Sequence, residues 1–302
     1  MAATQAPSRT TGGPTGTKPP SDRNARAVRA RRARTAGFHL TAGLLSLLWL
    51  LPIALVLVTS TRTFDDIAAH GMGSWPRSFT LANFGQAWNE GGQGHAMVNS
   101  LIVTVPTVLL SLLLASMAAF GLSRYDLPLR RTLLLVMLSG NLLPPQILLI
   151  PVSKLSEVLG IYDQLDALIG VQVGFGVGFY VFVLHGFMRA IPAEIQEAAV
   201  IDGAGPWQIY SRIILPLARP ALAALSALSF TWIFNDLLWA ITVLRTDSKM
   251  PITASLIGLQ GQYVSLWNVI AAGSVIAAAP TVAVFLRFQR HFVAGLNLGA
   301  VK

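Results

Sequence analysis

The feature that most limits what this chain can fold into is a set of long apolar runs, set apart by short polar segments. Helical runs of about 18 residues or more match the thickness of a lipid hydrocarbon layer, since each helical residue advances about 1.5 Å. Charged residues fill only 12% of the 302 positions, about half of the roughly 25% usual in a soluble domain. Mean hydropathy is +0.59. A soluble domain of this length has too little interior to hide so much apolar chain. In lipid every backbone polar group needs an internal partner, so the runs read as helices. The expected fold is all-α, a polytopic membrane bundle of about six transmembrane helices.

Residues 1–37 are rich in Pro, Gly, Thr, Ala and Arg without apolar periodicity, and are expected to form a disordered basic tail. The domain proper is expected over 38–302. Its spans are placed near 38–59, 97–120, 133–152, 168–187, 221–244 and 269–286. The first is too long for a cleaved signal core and reads as an anchor. The third contains Pro144, Pro145 and Pro151, so it is expected to be kinked or broken. The fourth carries Gly170, Gly174, Gly176 and Gly178, small residues that let helices approach closely.

Charge tests this topology independently. The tail cations Arg9 to Arg34, together with Arg124, Arg130, Arg131, Arg189, Arg212, Arg219, Arg287, Arg290 and Lys302, fall on one side. Only Arg62, Arg77, Lys154, Arg245 and Lys249 fall on the other. The positive-inside rule then puts both termini in the cytoplasm. The net charge of +9 is concentrated in a tail facing anionic lipid. No aromatic residues interleave with it, so nucleic-acid binding is not expected.

Several chemistries are excluded or weak. There is no cysteine, hence no disulfide or thiolate site. His39, His70, His95, His185 and His291 are scattered, and no metal site is expected. Gly16-Thr17-Lys18 lacks the spacing of a phosphate-binding loop, and the Gly174-Gly176-Gly178 run lacks its Lys. The chain is not expected to be an enzyme.

The polar segment 189–219 is the most informative. Pro192 can open a helix at its first turn, Glu194 and Glu197 suit the early turns of that helix, and Gly203 supplies a left-handed stop. Gly205-Pro206 starts a second short helix ending near Pro216. Within it, Glu197-Ala198-Ala199, Asp202-Gly203-Ala204, and Leu215-Pro216 followed by Pro220 resemble the EAA loop of binding-protein-dependent ABC importers. The resemblance implies that this loop docks into a separate ATPase subunit, with Glu197 a polar contact, Gly203 the tight bend, and Ala198 and Ala199 the close-packing face.

The likeness continues through most of 79–302. Leu81-Ala82-Asn83-Phe84, Asn99-Ser100-Leu101 and Pro144-Pro145-Gln146 resemble sugar permeases of this family. The C-terminal stretch with Gly295, Leu296 and Gly299 resembles the tail of the smaller permease subunit of maltose-importer type, and implies a tail contact with the ATPase. By resemblance the partners are a second homologous permease subunit, two ATPase subunits that use ATP and Mg, and an extracellular solute-binding protein that delivers a sugar. No cofactor is expected on this chain itself. A permease for another solute such as glycerol phosphate, or an ATP-independent secondary transporter, is the alternative.

Asp236 is expected in the outer half of the fifth span, beside Asn235 and near Trp232 and Trp239. An ionisable group at membrane depth faces a cavity or a partner by default, and aromatic faces beside polar groups suit sugar rings. Gly174, Tyr180, Asn235 and Asp236 are therefore candidates for the translocation path. The competing reading is an interfacial aromatic belt.

Overall fold

The computed structural model describes residues 22–259 and 266–300, with side chains described for 34–259 and 266–289. Among the described residues the regular structure is helical, with one isolated antiparallel bridge between Arg62 and Phe79. Two compact units divide the chain between Ala54 and Leu55.

The first unit holds most of helix α1 (Asp22–Ser60). The helix starts inside the segment expected to lack regular structure, so 22–37 corrects that expectation. The stretch is dominated by Ala and Arg, both strong helix formers, and elongation from an existing span is far easier than nucleation. From Arg34 onward the helix is long and apolar enough to cross a membrane.

The second unit begins with α2 (Phe64–His70), whose first turn is capped by the Thr63 hydroxyl accepting from the Asp66 amide. Then follow α3 (Gln93–Arg124), α4 (Arg130–Ser139), α5 (Leu149–Val158) and α6 (Leu165–Arg189). Beyond these lie α7 (Ala193–Ile201), α8 (Arg219–Phe234), α9 (Leu238–Val243), α10 (Ile252–Gly258) and α11 (Trp267–Ala300).

The span expectation is refined at two places. Among the described residues, α1, α3, α6 and α11 are four helices long and apolar enough to cross a membrane; 206–217 and α8 make a fifth if counted as one bent pair. The third expected span is broken, as its prolines imply, into two ten-residue helices joined through a short 3-10 turn at Pro145–Leu148. Each is about 15 Å long, half a bilayer core. The fifth was expected to be continuous over 221–244; it stops at Phe234 and resumes at Leu238. The Asp236 carboxylate accepts from the Trp239 amide. A side chain that competes for backbone donors in this way favours a break over an uninterrupted helix.

The main packing is α3 against α6; α8 packs on α11 and on α3, and α4 packs on α6. On α3 the buried apolar positions Val108, Leu112, Ala115, Ala119 and Leu122 recur every three or four residues, a seam that stays on one face. Thr104, Thr107 and Ser111 are also buried on α3. Lipid supplies no hydrophobic drive between helices, so close packing of small residues carries the association. Gly178 is the clearest case: a Cβ there would collide with the Met137 carbonyl of α4. Gly170 and Gly174 have open space instead, so close approach does not explain them.

Polar ties hold the end of this unit that carries α2. Arg62 is fully buried; its Nε donates to Asp66 Oδ2 at 2.7 Å, and Nη1 donates to the carbonyls of Gly71, Met72 and Ser74. Asn83 donates to the carbonyls of Ser60 and Arg62, and Asn268 of α11 donates to Asn83 Oδ1. Asp163, at φ 60°, accepts from the amides of Arg245 and Thr246 and from the Thr246 hydroxyl at 2.6 Å.

Candidate functional site

The segment between α6 and α8 is a compact helical knob. Pro192 sits just before α7 rather than in its first turn, with ψ 137°. Glu194 occupies that first turn, where the amide ends favour a carboxylate. α7 stops on Gly203 at φ 80°. The Gly203 amide donates to the Val200 carbonyl and the Ala204 amide to the Ala199 carbonyl, at 3.0 and 2.9 Å. This bond pair is the Schellman arrangement, which uses a left-handed glycine to satisfy orphan carbonyls. The chain then re-enters helix at Pro206, with the Gly205 amide donating to Gln208 Oε1.

One side of the knob is pinned into the bundle. Ile209, Tyr210 and Ile214 are buried, and Tyr210 Oη lies 2.8 Å from Ser116 Oγ of α3. Arg124, at the end of α3, donates to the carbonyls of Met188 and Ile191 and so closes the end of α6. The stretch 206–217 includes a wide-turned segment at Ile209–Ile214 and meets α8 at a 72° bend. The pivot, Ala218, is completely buried.

The other side is bare and apolar. Ile201 is 86% exposed, Trp207 63% and Val200 56%. Glu197, Asp202 and Gly203 are exposed beside them, while Ala204, Leu215 and Pro216 are half-buried. The two alanines expected to form one close-packing face are separated: Ala199 is buried among the knob's own contacts, and Ala198 points outward. Residues three or four apart share a helix face, whereas adjacent residues diverge by about 100°.

A second feature is a cavity of about 310 Å³ between α6, α8 and the start of the turn after α4. Asp236 and Gln172 form its polar corner, with Gln172 Nε2 donating to Asp236 Oδ2 at 3.2 Å. Phe175 stacks on Trp239 at 4.8 Å, and Phe179 meets Trp232 at 5.4 Å. Tyr180 lines the cavity and is otherwise buried.

Of the four path candidates, Tyr180 and Asp236 therefore share a cavity. Gly174 is exposed and outside it. Asn235 turns the other way, donating to the Thr231 carbonyl and to Thr281 of α11. Gln172, Asn141 and Pro145 were missed. A lone amide within an apolar run was the available signal for Gln172. Gly295, Leu296 and Gly299, the expected tail contacts, lie outside the residues whose side chains are described.

The family described as "Binding-protein-dependent transport system inner membrane component" matches residues 96–297. The melibiose/raffinose/stachyose import permease protein MelC of Bacillus subtilis (strain 168) is 30% identical over 276 residues, covering 90% of this chain and 99% of that one. The diacetylchitobiose uptake system permease protein NgcG of Streptomyces coelicolor is 30% identical over 281 residues, covering 92% and 93%. A chain from the crystal structure of a bacterial ABC transporter involved in the import of the acidic polysaccharide alginate shares the fold, with TM-score 0.74, 23% identity, and coverage of 92% and 100%. A multi-pass helical chain, matched across its bundle and its knob, belongs to the family of inner-membrane components of binding-protein-dependent transport systems.

Proposed function

We propose that this chain is one permease subunit of an ATP-driven importer for a sugar or oligosaccharide. Two of its relatives are named for saccharide uptake, which supports that substrate class over other solutes. In this reading a second, homologous permease subunit completes the path, and two separate ATPase subunits use ATP and Mg. A solute-binding protein delivers the sugar at the outer face. Both termini lie in the cytoplasm, as the cation distribution implies, and the C-terminal stretch with Gly295, Leu296 and Gly299 reaches the ATPase.

The observation that carries the reading is the bare apolar face of the knob. Ile201 and Trp207 stand exposed around Glu197 and Gly203, on a segment whose opposite side is locked to α3 through Tyr210. Large exposed apolar side chains on a rigid element mark a protein contact. ATP-driven closure of the ATPase pair moves the knob, and the knob moves α8 as a rigid body, alternating access to the path.

The test is recovery of the ATPase. The tagged chain, purified from its own membrane, is expected to bring down an ATPase subunit, and Ile201→Asp and Trp207→Ala are expected to lose most of it. Undiminished recovery with both variants, or protease access to 193–217 from outside the cell, overturns the proposal.

A further inference from the structure

Gln172 is 7% exposed, and its Oε1 has no hydrogen-bond partner. Its Nε2 is committed to Asp236. Buried polar atoms are paired in the great majority of cases, so an orphan in the wall of a cavity calls for a donor that comes from the cavity. Asp236 Oδ2 already accepts from Gln172 Nε2 and from the Trp239 amide. The polar corner is thus built to receive hydrogen-bond donors.

Most of the remaining wall is aromatic, and Asn141 adds a second amide to it. Trp232 packs with Phe179 and Phe175 stacks on Trp239, and all four line the cavity. Such faces accept the apolar C–H surface of a pyranose, while the rim hydroxyls reach the acceptors. At about 310 Å³ the volume sits at the lower end of ligand pockets, roughly 300 to 1,000 Å³. That is room for one sugar ring.

We propose that this cavity is a subsite for a single neutral sugar ring, carried by this chain's own residues. Gln172 Oε1 and Asp236 accept its hydroxyls, and Trp232 with Phe179 covers one face. The assignment rests on the importer reading for its substrate class. Asp236 also receives the Trp239 amide, so its loss alone would mix binding with local folding. Gln172 and Trp232 are the cleaner probes, Trp232 being 53% exposed at the cavity rim.

The experiment is equilibrium dialysis of the assembled complex in nanodiscs, without the solute-binding protein, against radiolabelled melibiose, raffinose, diacetylchitobiose and choline. At least one saccharide is expected to bind. Gln172→Leu and Trp232→Leu are each expected to weaken it about tenfold, the scale of one lost hydrogen bond or ring contact. Leu109→Ala, on the exposed face of α3, is the control and is expected to leave binding unchanged. Should Gln172→Leu fail to assemble, the rim variant Trp232→Leu decides alone. Equal saccharide affinity in the variants overturns the subsite. Binding of choline alone, or of no saccharide, overturns the sugar-ring assignment. ATPase recovery and ATP hydrolysis in the same preparation judge the importer reading separately, so either can fail without the other.

Discussion

Tyr210 Oη and Ser116 Oγ meet at 2.8 Å inside the core, the one in the knob and the other on α3. Both residues are almost fully buried, and the Tyr210 ring packs on Phe120 at 5.3 Å. Ser116 also donates to the Leu113 carbonyl in its own helix. Tyr210→Phe therefore leaves the serine satisfied and removes one neutral hydrogen bond, at a cost of about 1 kcal/mol. Tyr210→Ala removes the ring as well and costs about 3 to 5 kcal/mol. The thermal midpoint of the detergent-solubilised chain is expected to fall slightly for the first variant and strongly for the second. Equal midpoints for the two would show that the ring, and not only the hydroxyl, is dispensable.

Gly203 holds a conformation that side chains resist. At φ 80° a Cβ costs about 1 to 2 kcal/mol, although no neighbouring atom lies in its way. Gly203→Ala is expected to destabilise by that amount. Gly203→Asn is expected to cost less, since Asn tolerates the left-handed region. Thermal midpoints of the two variants rank the effects. An alanine variant as stable as the parent would mean that α7 ends in some other way.

Two glycines of α6 are expected to answer oppositely to the same change. At Gly178 a methyl group collides with the Met137 carbonyl, and overpacking of that kind costs about 1 to 3 kcal/mol. At Gly170 nothing lies within 4 Å, and alanine there stabilises the helix by about 0.5 to 1 kcal/mol. Paired midpoints for Gly178→Ala and Gly170→Ala test this, and a fall at Gly170 would contradict it.

The tie around Asp163 is expected to depend on acid in one direction only. The Thr246 hydroxyl, then the amides of Thr246 and Arg245, hold its carboxyl well below the usual carboxylate range, against the opposing effect of burial. A depressed value means that the folded state favours the charged form. Its contribution is complete above the unfolded value of about 4 and is lost as pH falls through the lower folded value. Hydrogen-exchange protection of the Arg245 and Thr246 amides should be flat from pH 8 to about 5 and decline only below about 4. Asp163→Asn should reduce it throughout. A loss centred between pH 6 and 7 would assign the tie to another group.

The sequence made the crossings legible where apolar length alone decides the matter. The runs that became α1, α3, α6 and α11 could be read because a continuous helix is the cheapest way to satisfy backbone groups in lipid. The prolines at Pro144 and Pro145 announced the broken third span. The break at Asn235 and Asp236 went unseen, because it depends on Gln172 arriving from another helix and on the Trp239 amide turning toward the carboxylate. The knob was legible through Gly203 and Pro206, whose backbone preferences are local. The division of Ala198 from Ala199 was not, since it depends on which side of α7 the bundle covers. Arg62 was read as one of the few cations on its side of the membrane. Its burial among three carbonyls and Asp66 needs a loop closure that no short window of residues reveals.

In the importer reading, the 72° angle at Ala218 sets the kind of motion that passes through the knob. A push along the axis of 206–217 strikes α8 closer to broadside than end-on. It therefore swings that helix about its root and does not drive it lengthwise. In that reading the far end of α8 is Phe234, two residues before Asp236, so a small rock at the root becomes the widest sweep beside the aromatic cavity.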